Sequence, residues 1–187
     1  QLVDGRKAER RCLDFNDLLI KAQQLLDPDR PNAVLDLLRK RYRQIMVDEY
    51  QDTDVPQDRI VRALLGDDTN KLFVVGDGKQ SIYLFRGADV CIFKGMLRYV
   101  ENDLNGRREE LGNNYRSASE LVSFVNMLFS RIMRTEDHAW EFKYLDVEPV
   151  RTDDEGSVTI VQVPSVGLND KLSMARAVAD QIFRLVS

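Results

Sequence analysis

The sequence lacks the long apolar runs and the clustered metal-binding residues that mark several large classes of protein. No stretch comes near the roughly 20 consecutive apolar residues that a membrane-spanning helix needs. No basic start followed by an apolar run indicates a secretory signal peptide. Cys12 and Cys91 lack the CxxC spacing of zinc sites, and His138 alone cannot form a histidine-rich metal site. We therefore predict two buried free thiols in a reducing cytoplasm.

The chain also lacks a large excess of charge of either sign. Its 187 residues carry 27 basic and 31 acidic side chains, for a formal net charge of −4. This balance argues against a protein held on nucleic acid by bulk charge alone, although a local basic groove stays compatible with it. The hydrophobic fraction of 43% is that of a globular protein with a core. The chain begins with Gln1 rather than Met, and we expect it to be a piece of a longer protein.

Hydrophobic periodicity in the first half predicts short strands that alternate with amphipathic helices. Asp14 is typical of a helix N-cap, and Pro31 is placed to open a second helix. Two apolar runs joined by a helical segment predict a βαβ unit with parallel strands. The predicted elements are a strand at 45–47, a helix at 54–65, a strand at 72–75 and a helix at 89–100.

The second half of the chain shows a less regular pattern. Ser117 and Glu120 have the spacing of a capping box at the start of a helix. Residues 135–156 show no clear period, and Trp140 and Tyr144 are the candidates to pin that segment to a core. The last predicted elements are a strand at 158–163 and a helix at 170–186. Together these patterns predict an α/β fold with a mostly parallel sheet.

Acidic residues follow both strands of the predicted βαβ unit. Asp48 and Glu49 end the first apolar run, and Asp77 follows the second, 29 residues after Asp48. Because parallel strands end at the same edge of a sheet, these acids should converge on one site. An apolar strand that ends in Asp-Glu is the Walker B arrangement, in which Asp holds Mg²⁺ and Glu orients and deprotonates water. Taken alone, the same pattern also fits a solvated turn.

Three strings of residues, in this order, resemble motifs II, III and IV of the UvrD/Rep-type DNA helicases of superfamily 1. They are Asp48–Thr53, Gly76–Asp89 and Asn114–Ser117, and Asp14–Leu19 resembles a segment found upstream of motif II in that family. The resemblance is closest to the RecB/AddA-like branch, because Lys79–Asp89 has that branch's form of motif III. Gly78 stands where that branch usually has Pro, and Phe85 replaces the Trp of the UvrD/Rep/PcrA branch.

The resemblance implies a RecA-like parallel sheet flanked by helices and a division into two motor domains. Residues 1–112 would be the second part of the first motor domain, with a remnant of its helical insertion at 1–43. Residues 113–187 would be the start of the second motor domain.

The resemblance also implies a nucleotide site that uses ATP and Mg²⁺. Asp48 would bind the metal, Glu49 would activate water, and Gln80 would sense the γ-phosphate and help to place that water. Tyr115 would stack on adenine, and Arg116 would contact the γ-phosphate. Such roles suit phosphoryl transfer, which needs charge neutralisation rather than covalent chemistry. Tyr50, Gln51 and Asp52 would support the site rather than react.

The resemblance further implies a surface for single-stranded DNA on the loop formed by motif III, Gly76–Asp89, on the side away from the nucleotide. Tyr83, Phe85 and Arg86 would contact the strand there, since aromatic rings stack on bases whatever their sequence. The two rings could instead be ordinary core residues, and Arg86 could pair with Asp89. With Gln80 at one end and aromatics at the other, the loop would couple the state of the nucleotide to the grip on DNA.

The sequence contains no Gly-x-x-x-x-Gly-Lys-Ser/Thr phosphate loop, and the family's motifs V and VI are also missing. We therefore expect an incomplete ATP site and an inactive isolated chain. The implied parent is an ATP-dependent helicase that translocates on single-stranded DNA, unwinds duplex junctions in repair or recombination, and has a nuclease domain or partner subunit. The alternative is a helicase-like module that binds DNA or protein without catalysis.

Overall fold

The computed structural model describes residues 7, 10–66, 71–151, 155–162 and 170–186. The chain divides into two compact units. The first unit comprises residues 1–111 and 132–144, and the second comprises residues 112–131 and 145–187. Segment 132–144 therefore returns to the first unit after the chain has entered the second. The boundary expected at 112/113 between two motor domains stays a prediction.

The described residues form helices that alternate with short parallel strands. The helices are α1 (Phe15–Leu25), α2 (Ala33–Arg41), α3 (Val55–Leu65), α4 (Val90–Arg98), α5 (Ser119–Ile132) and α6 (Asp170–Val186). The strands are β1 (Ile45–Val47), β2 (Leu72–Val74), β3 (Asn113–Ala118) and β4 (Glu148–Arg151). β1 pairs in parallel with β2 in the first unit, and β3 pairs in parallel with β4 in the second. This mixture of helices and small parallel sheets confirms the α/β class.

Side-chain caps fix where the first helices begin. Asp14 caps α1 as predicted and forms a reciprocal capping box with Asp17. The prediction that Pro31 opens the second helix is wrong, because Asn32 is the N-cap of α2 and its side chain accepts from the Leu35 amide at 3.0 Å. The asparagine oxygen satisfies a free amide of the first turn, whereas the proline ring has no acceptor, and the helix begins two residues after Pro31.

Two apolar clusters hold the first unit together. The first cluster joins α1, α2 and α3 through Leu26, Leu35 and Ala63. The second lies beneath β1 and β2, where Tyr50, Phe93 and Met96 are buried and Phe142 packs against them. Phe142 therefore pins segment 132–144 to the core.

Trp140 does not have the pinning role that the sequence suggested. Its side chain is 60% exposed and stacks on His138 with ring centroids 5.5 Å apart. The Tyr144 amide donates to the Met133 carbonyl at 2.9 Å, which joins the two ends of segment 132–144.

Two further predictions for the second half are wrong. Ser117 lies within β3, whose pairing continues to Ala118, so the helix begins too late for a Ser117 cap. Glu120 instead accepts hydrogen bonds from the Ser119 hydroxyl and the Gly156 amide at 3.1 Å each. Residues 158–162 form no strand, because no described strand pairs with them, and Val163 lies outside the described residues.

The structure tests the predicted burial of the cysteines and the predicted absence of a membrane-spanning helix. Both cysteines are free thiols, but only Cys91 is half-buried, and Cys12 is exposed. The predicted burial of Cys12 is wrong, since it lies in the short turn before α1 rather than in a packed element. Across the described ranges, no helix combines the length and the apolar character needed to cross a bilayer.

Candidate functional site

The parallel pairing of β1 and β2 brings the segments that follow both strands to one edge of the sheet. Val47 and Val74 are partners in the register, so the two strands end side by side. The Val75 amide then donates to the Val47 carbonyl at 2.8 Å, and the Tyr50 amide donates to the Val75 carbonyl at 3.0 Å. The turn after β1 is thereby tied to the end of β2.

Asp48 and Glu49 form that turn and are both exposed. The Glu49 amide donates to Oδ1 of Asp48 at 2.9 Å. Glu49 has a left-handed backbone, with φ 51° and ψ 44°, a conformation that costs a residue with a side chain about 1–3 kcal/mol. This turn therefore ends the alternating side-chain directions of the strand. The neighbouring carboxylates of Asp48 and Glu49 consequently have different surroundings.

Gln51 joins this turn to the segment after β2. Its side-chain amide donates to Oε2 of Glu49 at 2.7 Å, and its carbonyl oxygen accepts from the Asp77 amide at 2.9 Å. The backbone carbonyl of Gln51 accepts from the Ser81 hydroxyl at 3.3 Å. Gln51 thus contacts both segments that resemble helicase motifs II and III.

Asp77 continues the connection to Gln80. Its Oδ2 accepts from the Gln80 side-chain amide at 3.0 Å, and its Oδ1 pairs with the Lys79 ammonium at 2.8 Å. Burial acts to raise the pKa of Asp77, but these contacts from Lys79 and Gln80 outweigh it and hold that pKa below its usual value. Asp77 is therefore charged at neutral pH and fixes the short 3₁₀ helix Gly78–Gln80 by that charge.

Buried residues behind the turn support it. Tyr50 is fully buried against Phe93, and its hydroxyl donates to Asp58 at 2.7 Å. Oδ1 of Asp52 is buried without a hydrogen-bond partner. Burial, followed by the nearby charge of Glu49, raises the pKa of Asp52. The site therefore contains one acid held charged at Asp77 and one whose charge is disfavoured at Asp52.

The loop after Gln80 exposes apolar side chains. Ile82 and Leu84 are exposed, and Phe85 is 78% exposed, with its ring 5.9 Å from that of Tyr83 between centroids. The alternative in which Phe85 is a core residue is therefore wrong, while Tyr83 is half-buried. Arg86 belongs to the short 3₁₀ helix Leu84–Arg86, and its side chain lies outside the described part of the structure.

Phe15 is an exposed aromatic residue to which the sequence assigned no role. Its side chain is 87% exposed and lines a groove together with Val55 and Gly87, the residue that ends the Leu84–Arg86 helix. The groove therefore reaches from α1 to the residue that ends the Leu84–Arg86 helix. Its signal in the sequence is an aromatic residue directly after the predicted N-cap Asp14.

Tyr115 and Arg116 lie on β3 in the second unit, and both are exposed. The Tyr115 hydroxyl accepts from the Asn113 side chain at 3.3 Å. The Arg116 backbone carbonyl accepts from Arg151 on β4 at 2.9 Å, which leaves the guanidinium of Arg116 out of this contact. Both residues belong to the second unit, whereas Asp48, Glu49 and Gln80 belong to the first.

The turn after β1 contains one carboxylate suited to bind a metal ion, that of Asp48. The described residues contain no group of three or more His, Cys, Asp or Glu side chains arranged to hold a metal. Mg²⁺ bound with a nucleotide needs only one or two protein carboxylates, because phosphates and water supply the remaining oxygens. The exposed Asp48 fits that requirement, since it forms no ion pair within the described part of the chain.

The sequence of the chain is similar to those of known proteins. Residues 1–100 match the family described as the UvrD/REP helicase N-terminal domain. The chain is 40% identical over 134 residues to an ATP-dependent helicase/nuclease subunit of Limosilactobacillus reuteri, covering 70% of this chain and 10% of that protein. It is 38% identical over 145 residues to the protein of the same name from Staphylococcus aureus strain NCTC 8325, with 74% and 12% covered. The chain thus spans about a tenth of the length of these curated relatives.

Proposed function

The chain belongs to the UvrD/REP helicase N-terminal domain family, and from that premise we propose that it forms part of an ATP-driven motor that translocates on single-stranded DNA and unwinds duplex junctions. The observation that carries the proposal is the continuous hydrogen-bonded connection from Glu49 through Gln51 and Asp77 to Gln80. It connects Glu49, our proposed base, to Gln80, our proposed sensor of the γ-phosphate.

Three residues of the proposed site would take part in ATP hydrolysis. Asp48 would hold Mg²⁺, which supplies charge neutralisation for the phosphates when it is bound. Glu49 would accept the proton of the attacking water, and Gln80 would orient that water. The left-handed turn at Glu49 supports this division, since it lets adjacent carboxylates face different partners.

Two residues of β3 are further candidates for nucleotide contact. Tyr115 would stack on the adenine, and Arg116 would offset the charge that develops on the γ-phosphate. Residues 1–112 and 113–187 would then belong to two successive RecA-like motor domains, with 1–43 as the remnant of a helical insertion. The exposure of both side chains on β3 supports their availability to a ligand.

The proposed DNA surface consists of Tyr83, Phe85 and Arg86, together with Phe15. The exposed ring of Phe85 and the groove shared by Phe15 and Gly87 support it. Base stacking on such rings stabilises single-stranded DNA without sequence preference.

The isolated chain should be inactive, because the sequence contains neither the phosphate loop nor motifs V and VI of the family. The longer protein would act in the cytoplasm, in DNA repair or recombination. The relatives are named as helicase/nuclease subunits, which supports a nuclease domain or a partner subunit in that longer protein.

The experiment is an ATPase and strand-displacement assay on the longer protein, with and without single-stranded DNA. We expect ATP hydrolysis that DNA stimulates and unwinding that depends on hydrolysis. A protein that binds DNA but never hydrolyses ATP would instead be a helicase-like binding module.

A further inference from the structure

Gln51 lies between two segments that bear the proposed chemistry. Its side-chain nitrogen donates to Oε2 of Glu49 at 2.7 Å, and its side-chain oxygen accepts from the Asp77 amide, 26 residues away in sequence, at 2.9 Å. A carboxylate only accepts and a backbone amide only donates, so these two partners fix which way the carboxamide is turned. With 2% of its surface exposed, Gln51 has almost no contact with water.

The surroundings of Gln51 leave space for this one arrangement. A Cβ atom at Gly76 would stand 2.8 Å from Oε1 of Gln51, so the glycine permits the amide to reach the backbone of Asp77. Asp77 in turn accepts from the Gln80 side chain at 3.0 Å, and the Gln80 amide donates back to the Asp77 carbonyl at 2.9 Å. Gln51 therefore links Glu49 to the segment that holds Asp77 and Gln80.

We propose that Gln51 is a positioning residue, which orients the Glu49 carboxylate toward the attacking water and sets its distance from Gln80. This inference rests on the proposed function, since it places Gln51 at the site of that ATPase. Gln51 itself faces Glu49 and Asp77 rather than the open edge of the sheet, so it acts through these neighbours.

Two substitutions separate the two hydrogen bonds. Gln51→Glu keeps the length of the side chain and an oxygen for the Asp77 amide, but in its ionised form it cannot donate to Glu49 and adds a like charge beside it. Gln51→Met keeps a similar volume and loses both hydrogen bonds. Gln24, exposed on α1, provides matched controls as Gln24→Glu and Gln24→Met.

The first measurement is steady-state ATPase of the full-length protein with saturating single-stranded DNA. We expect both Gln51 variants to lower kcat by about 10-fold or more with little change in KM for ATP, the signature of an interaction made in the transition state. The Gln24 variants should match the wild type. If Gln51→Glu hydrolyses ATP at the wild-type rate, Gln51 only tethers the Asp77 segment and the proposal is overturned.

The second measurement is backbone hydrogen exchange over residues 76–80 without nucleotide. Exchange should be faster in Gln51→Met, which loses the acceptor for the Asp77 amide, and unchanged in Gln51→Glu. Unchanged exchange in Gln51→Met would contradict the contact itself.

A double-substitution cycle with Glu49→Gln then distinguishes the two proposals. If Gln51 acts through Glu49, Gln51→Met should lower kcat far less in the Glu49→Gln background than in the wild type. Equal losses in both backgrounds would overturn the positioning role while leaving the ATPase proposal intact. A Glu49→Gln protein of normal rate would instead refute the proposed function, and with it any role for Gln51.

Discussion

The ring of Phe142 lies directly against the backbone of Gly78, at the start of the short helix that carries Gln80. A Cβ atom at Gly78 would stand 2.1 Å from the nearest ring atom. Phe142 also packs on Phe93 with ring centroids 6.1 Å apart, and the Lys94 ammonium lies 4.5 Å above its ring centroid. The segment 132–144 therefore closes over the motif III loop at a point where only glycine fits.

Gly78→Ala should destabilise the protein by about 1–3 kcal/mol, the usual cost of overpacking a close contact. Urea unfolding measures this loss of free energy. Because Phe142→Ala removes the ring that clashes, Gly78→Ala should cost much less in that background. Equal costs in the two backgrounds would show that the two residues are not in contact.

The contact also accounts for a departure from the family pattern seen in the sequence. The RecB/AddA-like branch usually has Pro where this chain has Gly78, and a proline ring there would meet Phe142. The sequence showed the departure but not its cause, because residue 142 is distant in sequence and lies in a segment without periodicity.

Asp52→Asn should stabilise the protein at neutral pH. Burial and the charge of Glu49 raise the Asp52 pKa above 3.8, so ionisation of this acid opposes folding as the pH rises through the folded-state pKa. The melting temperature of the variant should therefore exceed that of the wild type at pH 7.

The advantage of Asp52→Asn should disappear below pH 3.8, where the acid is protonated in both the folded and the unfolded state. Asp103→Asn, an exposed acid on the turn after α4, serves as the control. A gain in stability that persists at low pH would contradict the electrostatic explanation.

Phe85→Ala should weaken binding of single-stranded DNA by the full-length protein by about 10-fold, in line with the roughly 1–3 kcal/mol of one stacked base. Fluorescence anisotropy with a labelled oligonucleotide measures the change at fixed salt. Phe183 on α6 is similarly exposed at 71%, so Phe183→Ala is a matched control for the loss of an exposed ring. Equal affinity of the Phe85→Ala protein and the wild type would exclude this ring from the DNA surface.

The isolated chain should bind Mg·ATP with a dissociation constant in the millimolar range or weaker. This corresponds to a binding free energy on the order of 4 kcal/mol at most. A phosphate loop supplies a cradle of backbone amides and a lysine, and the sequence contains no such motif. Calorimetry measures this affinity. A dissociation constant in the micromolar range would contradict an incomplete site.

Local rules in the sequence were enough to predict the elements that position the site. The apolar runs at β1 and β2 and the βαβ order predicted the parallel pair correctly, and Asp14 was correctly predicted as the N-cap of α1. The family indicated by the motifs is confirmed by the match over residues 1–100. These features depend on neighbours close in sequence or on strings that stay recognisable without a structure.

Contacts between distant segments could not be predicted in the same way. A supporting role for Gln51 followed from the resemblance, but its hydrogen bond to the Asp77 amide depends on how two strand ends meet. Phe142 rather than Trp140 pins its segment, a choice between two aromatic rings that only tertiary packing decides. The strand expected at 158–163 had the right alternation, but alternation alone does not provide a pairing partner.

The DNA-stimulated ATPase rate of the full-length protein carrying Glu49→Gln tests directly whether Glu49 is the catalytic base. The variant keeps the size of the side chain but removes the base, so turnover should fall by about 100-fold or more while binding of ATP and DNA is nearly unchanged. Glu101→Gln, on the exposed turn after α4, should hydrolyse ATP like the wild type. A Glu49→Gln protein that hydrolyses ATP at the normal rate and still responds to DNA would contradict the assignment of the turn after β1 as the catalytic centre.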